Sequence, residues 1–89
     1  MTTRTVTIRN RLGLHARAAV KLVNLANRFE SSVKIEKDGS EIDGKSILGI
    51  LTLAATQGSE ITLRTFGRDE SLAMTALVDL IEDRFQEEE

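Results

Sequence analysis

Two residues apart stand the chain's one histidine, His15, and an arginine, Arg17. A neutral imidazole is nucleophilic, and an unperturbed pKa of about 6.5 leaves much of it uncharged at cellular pH. A phosphoryl group taken onto a ring nitrogen keeps a high transfer potential, so a second protein can remove it again. A guanidinium close by would steady phosphate charge in the loose transition state and in the product. Taken singly, a histidine is more often a satisfied surface residue, and an arginine a solvated helix residue. For Arg17, its spacing from His15 favours the chemical reading. Gly13 lets the chain turn sharply beside the histidine, and Asn10 is suited to bracing that turn by side-chain-to-backbone hydrogen bonds. Further on, Ser46 precedes the apolar run Ile47, Leu48, Ile50 and Leu51. It reads as a helix N-cap worth about 1 kcal/mol.

Local patterning supplies the elements that would hold these residues. Thr3 to Ile8 is β-branched and alternating, a strand signal, and residues 9–15 follow as a loop. From Ala16 to Arg28 the period becomes helical, with Ala19, Leu22, Val23 and Ala26 on one face and Phe29 closing it. His15 thus falls at a helix start, where unpaired backbone N–H groups and the positive end of the dipole favour phosphate oxygens. Ser32 to Glu36 alternates as a strand. Lys37 to Ser40 contains Asp-Gly and reads as a turn, and Glu41 to Asp43 as a short return strand. A short helix is expected over Ile47 to Ala54 and a last strand over Glu60 to Phe66. The longest helix is expected over Ser71 to Phe85, capped by Asp69 or Ser71, with Ala73, Ala76, Leu77, Leu80 and Ile81 at helical spacing. The acidic end, Gln86 to Glu89, is expected to fray. The order β-α-β-β-α-β-α needs one covered sheet face. It predicts an α+β open-faced sandwich with a solvated outer face.

Composition narrows the function. Eighty-nine residues make one domain, 1–89, and 40% apolar content suits a globular chain. The three aromatics are all Phe, so the core must be mostly Leu, Ile, Val and Ala. The lack of cysteine removes disulfides, thiolate catalysis and Cys-bound metals. One histidine without cysteine offers no metal-ligand cluster, so neither metal nor cofactor is expected. No signal-peptide pattern or membrane span is evident, and a cytoplasmic location fits. The net charge is −2, but residues 1–29 hold six bases and no acid, while the remaining sixty hold six bases and all fourteen acids. That polarity predicts a basic patch around the first helix and docking on an acidic protein surface. Nucleic-acid binding is disfavoured by the acidic remainder and the scarcity of aromatics. A self-contained enzyme is disfavoured because no second general base pairs with His15 in the sequence.

The segment NRLGLHARAAV at Asn10 to Val20 closely resembles the active-site segment of the HPr family, the histidine-containing phosphocarriers of the bacterial phosphoenolpyruvate-dependent sugar phosphotransferase system. GKSILGILTLA at Gly44 to Ala54 resembles that family's regulatory-serine segment, at the family's separation. The resemblance spans essentially the whole chain. It implies a four-stranded antiparallel sheet with three helices on one face. It makes His15 the phosphorylated histidine, by the family's example at Nδ1, Arg17 the phosphate-stabilising arginine, and Ser46 the serine a dedicated kinase modifies. Ile47, Leu48 and Leu51 match partner-docking positions and Ile50 falls to the core. Leu14 would extend the docking patch, rimmed by Arg11, Arg17 and Lys21. Phosphate would come from enzyme I and leave to a IIA domain, with HPr kinase/phosphorylase acting on Ser46 and the carrier itself a monomer. A regulatory or nitrogen-related relay of the same fold, acting mainly by partner binding, is the alternative. One departure is Ala18, where the family usually has proline. Alanine also starts helices well, so the helix should keep its place with a less rigid entry.

Overall fold

The computed structural model describes residues 1–87. Strand β1 runs over Thr2–Thr7, helix α1 over Ala16–Ala26, β2 over Ser32–Lys37 and β3 over Ser40–Asp43. Helix α2 covers Ile47–Leu53, β4 Glu60–Phe66 and α3 Glu70–Glu82, followed by a 3-10 turn at Arg84–Gln86. The sheet order is β1-β4-β2-β3, and every neighbouring pair is antiparallel. This is the expected β-α-β-β-α-β-α open-faced sandwich.

Period-two alternation sorts the strands into two faces. Val6, Val33, Ile35, Ile61, Leu63 and Thr65 are buried under the helices. Val6 lies opposite Ile61, and Ile35 opposite Leu63. The other face is polar: Arg64 contacts Glu36 at 2.6 Å and Glu41 at 3.2 Å, and the hydroxyls of Thr5 and Thr62 lie 3.2 Å apart. Asp38 and Gly39 have φ of 51° and 86°, the paired positive values of a tight hairpin turn.

On the inner face, α1 packs on α2 and α3, α3 covers β1 and β4, and α2 covers β3 and β2. Helix α1 buries Ala18 together with the predicted Ala19, Leu22, Val23 and Ala26. With Ala18 wholly buried, the missing proline leaves a small residue closely packed at the helix entry. The α3 stripe differs from expectation. Ala73, Leu77 and Ile81 are buried as predicted, but Met74 and Val78 complete the face, whereas Ala76 and Leu80 sit at its margin.

Two terminal features also differ. Asp69 occupies the N-cap position of α3 but makes no side-chain cap. Its carboxylate instead accepts from the Glu30 and Ser31 amides, each at 3.0 Å, and from the Ser31 hydroxyl at 2.5 Å. Helix α3 ends at Glu82 rather than Phe85. Arg84, Phe85 and Gln86 follow with φ of 54°, 55° and 65°. Left-handed backbone at non-glycine residues costs about 1–2 kcal/mol each. Full burial of the Phe85 ring and a 2.6 Å bond from Lys21 Nζ to the Phe85 carbonyl offset it. Gln86 and Glu87 are therefore folded back rather than frayed, while Glu88 and Glu89 lie outside the described residues.

The fold also rearranges the charges. Arg9 pairs with Glu82 at 2.8 Å, and Glu87 reaches His15 at 2.6 Å. Glu82 and Glu87 thus lie against the basic N-terminal segment, and the basic patch expected there is partly neutralised.

The Asp69 clamp carries a pH signature. The Ser31 hydroxyl, followed by the Glu30 amide, holds the Asp69 carboxyl below the usual carboxylate range despite partial desolvation. A depressed folded-state value stabilises above the unfolded value and loses that contribution as pH falls through the folded one. Urea midpoints should therefore show Asp69→Ala less stable than the parent at pH 7. The gap should close as the solution is acidified below about pH 4. A gap that stays constant with pH would show that the clamp does not depend on ionisation.

Candidate active site

The loop before α1 is built to place one side chain. Gly13 has φ of 65°, and a Cβ there would collide with the Ala55 carbonyl oxygen and lie 2.9 Å from Thr56 Cα. Only glycine satisfies both the left-handed backbone and that close approach. The next amide, Leu14 N–H, donates to the same Ala55 carbonyl at 2.9 Å. Asn10 is fully buried, and its Nδ2 donates to the Gly13 carbonyl at 2.8 Å, the bracing role anticipated for it. The chain leaving α2 and the chain entering α1 are thereby locked together next to His15.

His15 is the N-cap of α1, with extended backbone at φ −80° and ψ 179°. Its carbonyl accepts from Ala19 N–H at 2.9 Å. Its ring acts as the cap side chain, with Nδ1 accepting from the Arg17 amide at 3.3 Å. An acceptor nitrogen is unprotonated, so Nδ1 carries the lone pair and points at the helix start. Nε2 lies 2.6 Å from Glu87 Oε2, and the His15 side chain is 25% exposed, enough to be approached by a partner. The Arg17 side chain is exposed beside it.

Helix α2 presents the second motif. Ser46 Oγ accepts from Gly49 N–H at 3.0 Å, the predicted N-cap bond. Ile50 is fully buried, while Ile47, Leu48 and Leu51 are 40%, 73% and 38% exposed. That arrangement matches the expected division between core and surface. Leu14 does not: at 4% exposure it belongs to the core, because the tight Gly13 turn directs it inward. The exposed apolar residue of that loop is Leu12, at 62%. Lys21 is half-buried with its ammonium on the Phe85 carbonyl, so it holds the chain's own tail rather than forming a free basic rim. Arg11 stays exposed.

The residue that sequence reading missed is Glu87. Burial pushes its carboxyl up, but hydrogen bonds from His15 and Asn10 and the nearby Lys21 charge outweigh that and hold it below the usual range. No local pattern announces the contact, which spans 72 residues. The only hint in the sequence is Phe85, an aromatic four residues beyond Ile81 in a mostly acidic segment.

Comparison with known proteins now gives this geometry a context. The family model of the PTS HPr component phosphorylation site matches residues 2–83. A phosphocarrier protein HPr of Cupriavidus necator is 53% identical over 89 residues, covering both chains completely. An HPr-like protein Crh of Halalkalibacterium halodurans is 48% identical over 92% of this chain and 98% of its own. Among solved structures, HPr-C-His of Thermoanaerobacter tengcongensis superposes with a TM-score of 0.97 at 45% identity, each chain fully covered. The HPr of Bacillus anthracis gives 0.87 at 41% identity, over 90% of this chain and 95% of that one. The chain belongs to the HPr family. It is a phosphocarrier protein of the phosphotransferase system, a carrier of phosphoryl groups through histidine rather than a self-contained enzyme, and it interacts with components of that system. No helix among the described residues is long and apolar enough to cross a membrane.

Proposed function

We propose that His15 accepts a phosphoryl group at Nδ1 from enzyme I, itself charged by phosphoenolpyruvate, and passes it to a IIA domain, the carrier working as a cytoplasmic monomer. The observation that carries this reading is the orientation of the ring. The chain's one histidine caps α1 with its Nδ1 lone pair toward the Arg17 amide. In the acceptance step Nδ1 attacks phosphorus, the N–P bond forms, and the bond to the donor breaks with its electron pair. The Arg17 amide then exchanges the ring nitrogen for a phosphate oxygen, and the Arg17 guanidinium closes on the same charge. Ile47, Leu48 and Leu51 dock the partners, bordered by Arg11 and Arg17. An apolar centre with a charged rim is ordinary transient-interface anatomy. The test is incubation with enzyme I, phosphoenolpyruvate and magnesium, followed by intact mass and site mapping under non-acidic conditions. Acid-labile phosphate on His15 is expected, and a chain that stays unmodified with matched and heterologous enzyme I would overturn the assignment.

Ser46 is the regulatory site in this reading, modified by HPr kinase/phosphorylase. The hydroxyl already caps α2, so a phosphate there is welcome to the helix and the fold need not change. A charge of about −2 next to Ile47, Leu48 and Leu51 instead opposes apolar docking and an acidic partner surface. Ser46→Asp should weaken acceptance from enzyme I, seen as roughly a tenfold rise in KM with unchanged helix content. An unchanged KM and rate would remove the electrostatic brake.

A further inference from the structure

The carrier reading uses one face of the His15 ring and leaves the other unexplained. That other face is closed by Glu87. Glu87 Oε2 lies 2.6 Å from His15 Nε2, and the side chains are only 25% and 14% exposed. The same carboxylate accepts at Oε1 from Asn10 Nδ2 at 3.1 Å. Asn10 in turn holds the Gly13 carbonyl, so one buried amide ties the loop and the tail to a common frame. Its Oδ1 has no hydrogen-bond partner among the described residues, and the bonds that orient this amide are the two that Nδ2 donates to the loop and to Glu87. The tail is itself fixed by the buried Phe85 ring and by Lys21 on the Phe85 carbonyl. Three consecutive left-handed residues turn the chain toward the histidine. Strained backbone of this kind persists where surrounding structure over-determines it.

We propose that Glu87 is a positioning residue for the phosphoryl chemistry of His15: its carboxylate holds the ring proton on Nε2 and so presents Nδ1 as the nucleophile. This rests on the carrier reading. The two ring contacts agree on one tautomer, since Nε2 must donate to a carboxylate and Nδ1 must accept from an amide. Attack by Nδ1 leaves the ring with an N–P bond and its Nε2 proton, hence a positive ring facing the Glu87 charge. No proton has to leave. In the return step the same carboxylate keeps the ring protonated, so the Nδ1–P bond breaks to a neutral imidazole, with the phosphorus moving to the acceptor. The logic is that of an acid orienting a catalytic histidine, supplied here by a side chain 72 residues away.

The experiment compares wild-type protein with Glu87→Ala, using ring 15N chemical shifts of His15 at a pH where the imidazole is neutral. The substitution lies beyond Phe85, so the core is untouched. Wild type should show a protonated Nε2 and an unprotonated Nδ1, and Glu87→Ala should shift both signals toward a mixture of tautomers. Acceptance from phosphorylated enzyme I should lose roughly tenfold or more in kcat with KM within about twofold. Glu82→Ala, which removes an equal charge paired with Arg9, should leave shifts and kcat as in wild type. Unchanged tautomer signals in Glu87→Ala, or an equal loss of kcat in Glu82→Ala, would overturn the positioning role. The 15N measurement needs no donor protein. A wild type that takes no phosphate but shows the tautomer change would therefore overturn the carrier reading, and the phosphoryl role with it, while the contact itself stands.

Discussion

His15→Ala is expected to abolish phosphoryl acceptance while leaving the domain folded. No other imidazole exists in the chain to take over, and the exposed Arg17 guanidinium is not a nucleophile. The structural cost is small. The ring supplies an N-cap bond to the Arg17 amide and a contact with Glu87. Losing a cap costs about 1 kcal/mol, against a total stability of about 5–15 kcal/mol for domains of this kind. Intact mass after incubation with enzyme I and phosphoenolpyruvate, together with a thermal melt, separates the two effects. A folded variant that gains phosphate like the wild type would remove His15 from the site.

The second large effect is expected from Gly13→Ala, and it acts through the fold. An alanine at φ of 65° is strained, and its Cβ would meet the Ala55 carbonyl, which already receives the Leu14 amide. Backbone strain and overpacking each cost about 1–3 kcal/mol. Tm should fall by about 10 °C or more. Relief of the clash must move residues 13 and 14 away from Ala55, which displaces the His15 cap. Acceptance should then fall at temperatures where the variant is still folded. A variant with wild-type Tm and rate would show that the loop absorbs the extra methyl without moving the ring. Together the two substitutions divide the site into the group that reacts and the turn that aims it.

How much of this was legible beforehand follows from the range of the interactions. The strands over Ser32 to Glu36 and Glu60 to Phe66, the Asp38-Gly39 turn and the Ser46 cap are written in neighbouring residues. Side-chain alternation, paired positive φ and a hydroxyl two or three residues from an amide are all local events. They were readable to within a residue or two at each end. The face of α1 was readable for the same reason, since period alone places Ala19, Leu22, Val23 and Ala26 together. The α3 stripe was less so. Met74 and Val78 flank the Ala73, Leu77 and Ile81 stripe on one side and Ala76 and Leu80 on the other, and only the position of the sheet decides which flank is covered. Leu14 shows the same limit over a shorter span. Its neighbour Leu12 is equally apolar, and the Gly13 turn against Ala55 decides which of the two enters the core.

The sequence by itself determined the order of elements, the location of His15 at a helix start beside Arg17, and the capped, apolar α2 that follows Ser46. Tertiary structure alone decided that Asp69 clamps Ser31 instead of capping α3, that Lys21 serves the tail, and that Glu87 meets His15. Those contacts join residues 38 to 72 positions apart. No local propensity encodes such a pairing. It exists because burying Phe85 against the finished core turns Glu87 back onto the loop before α1.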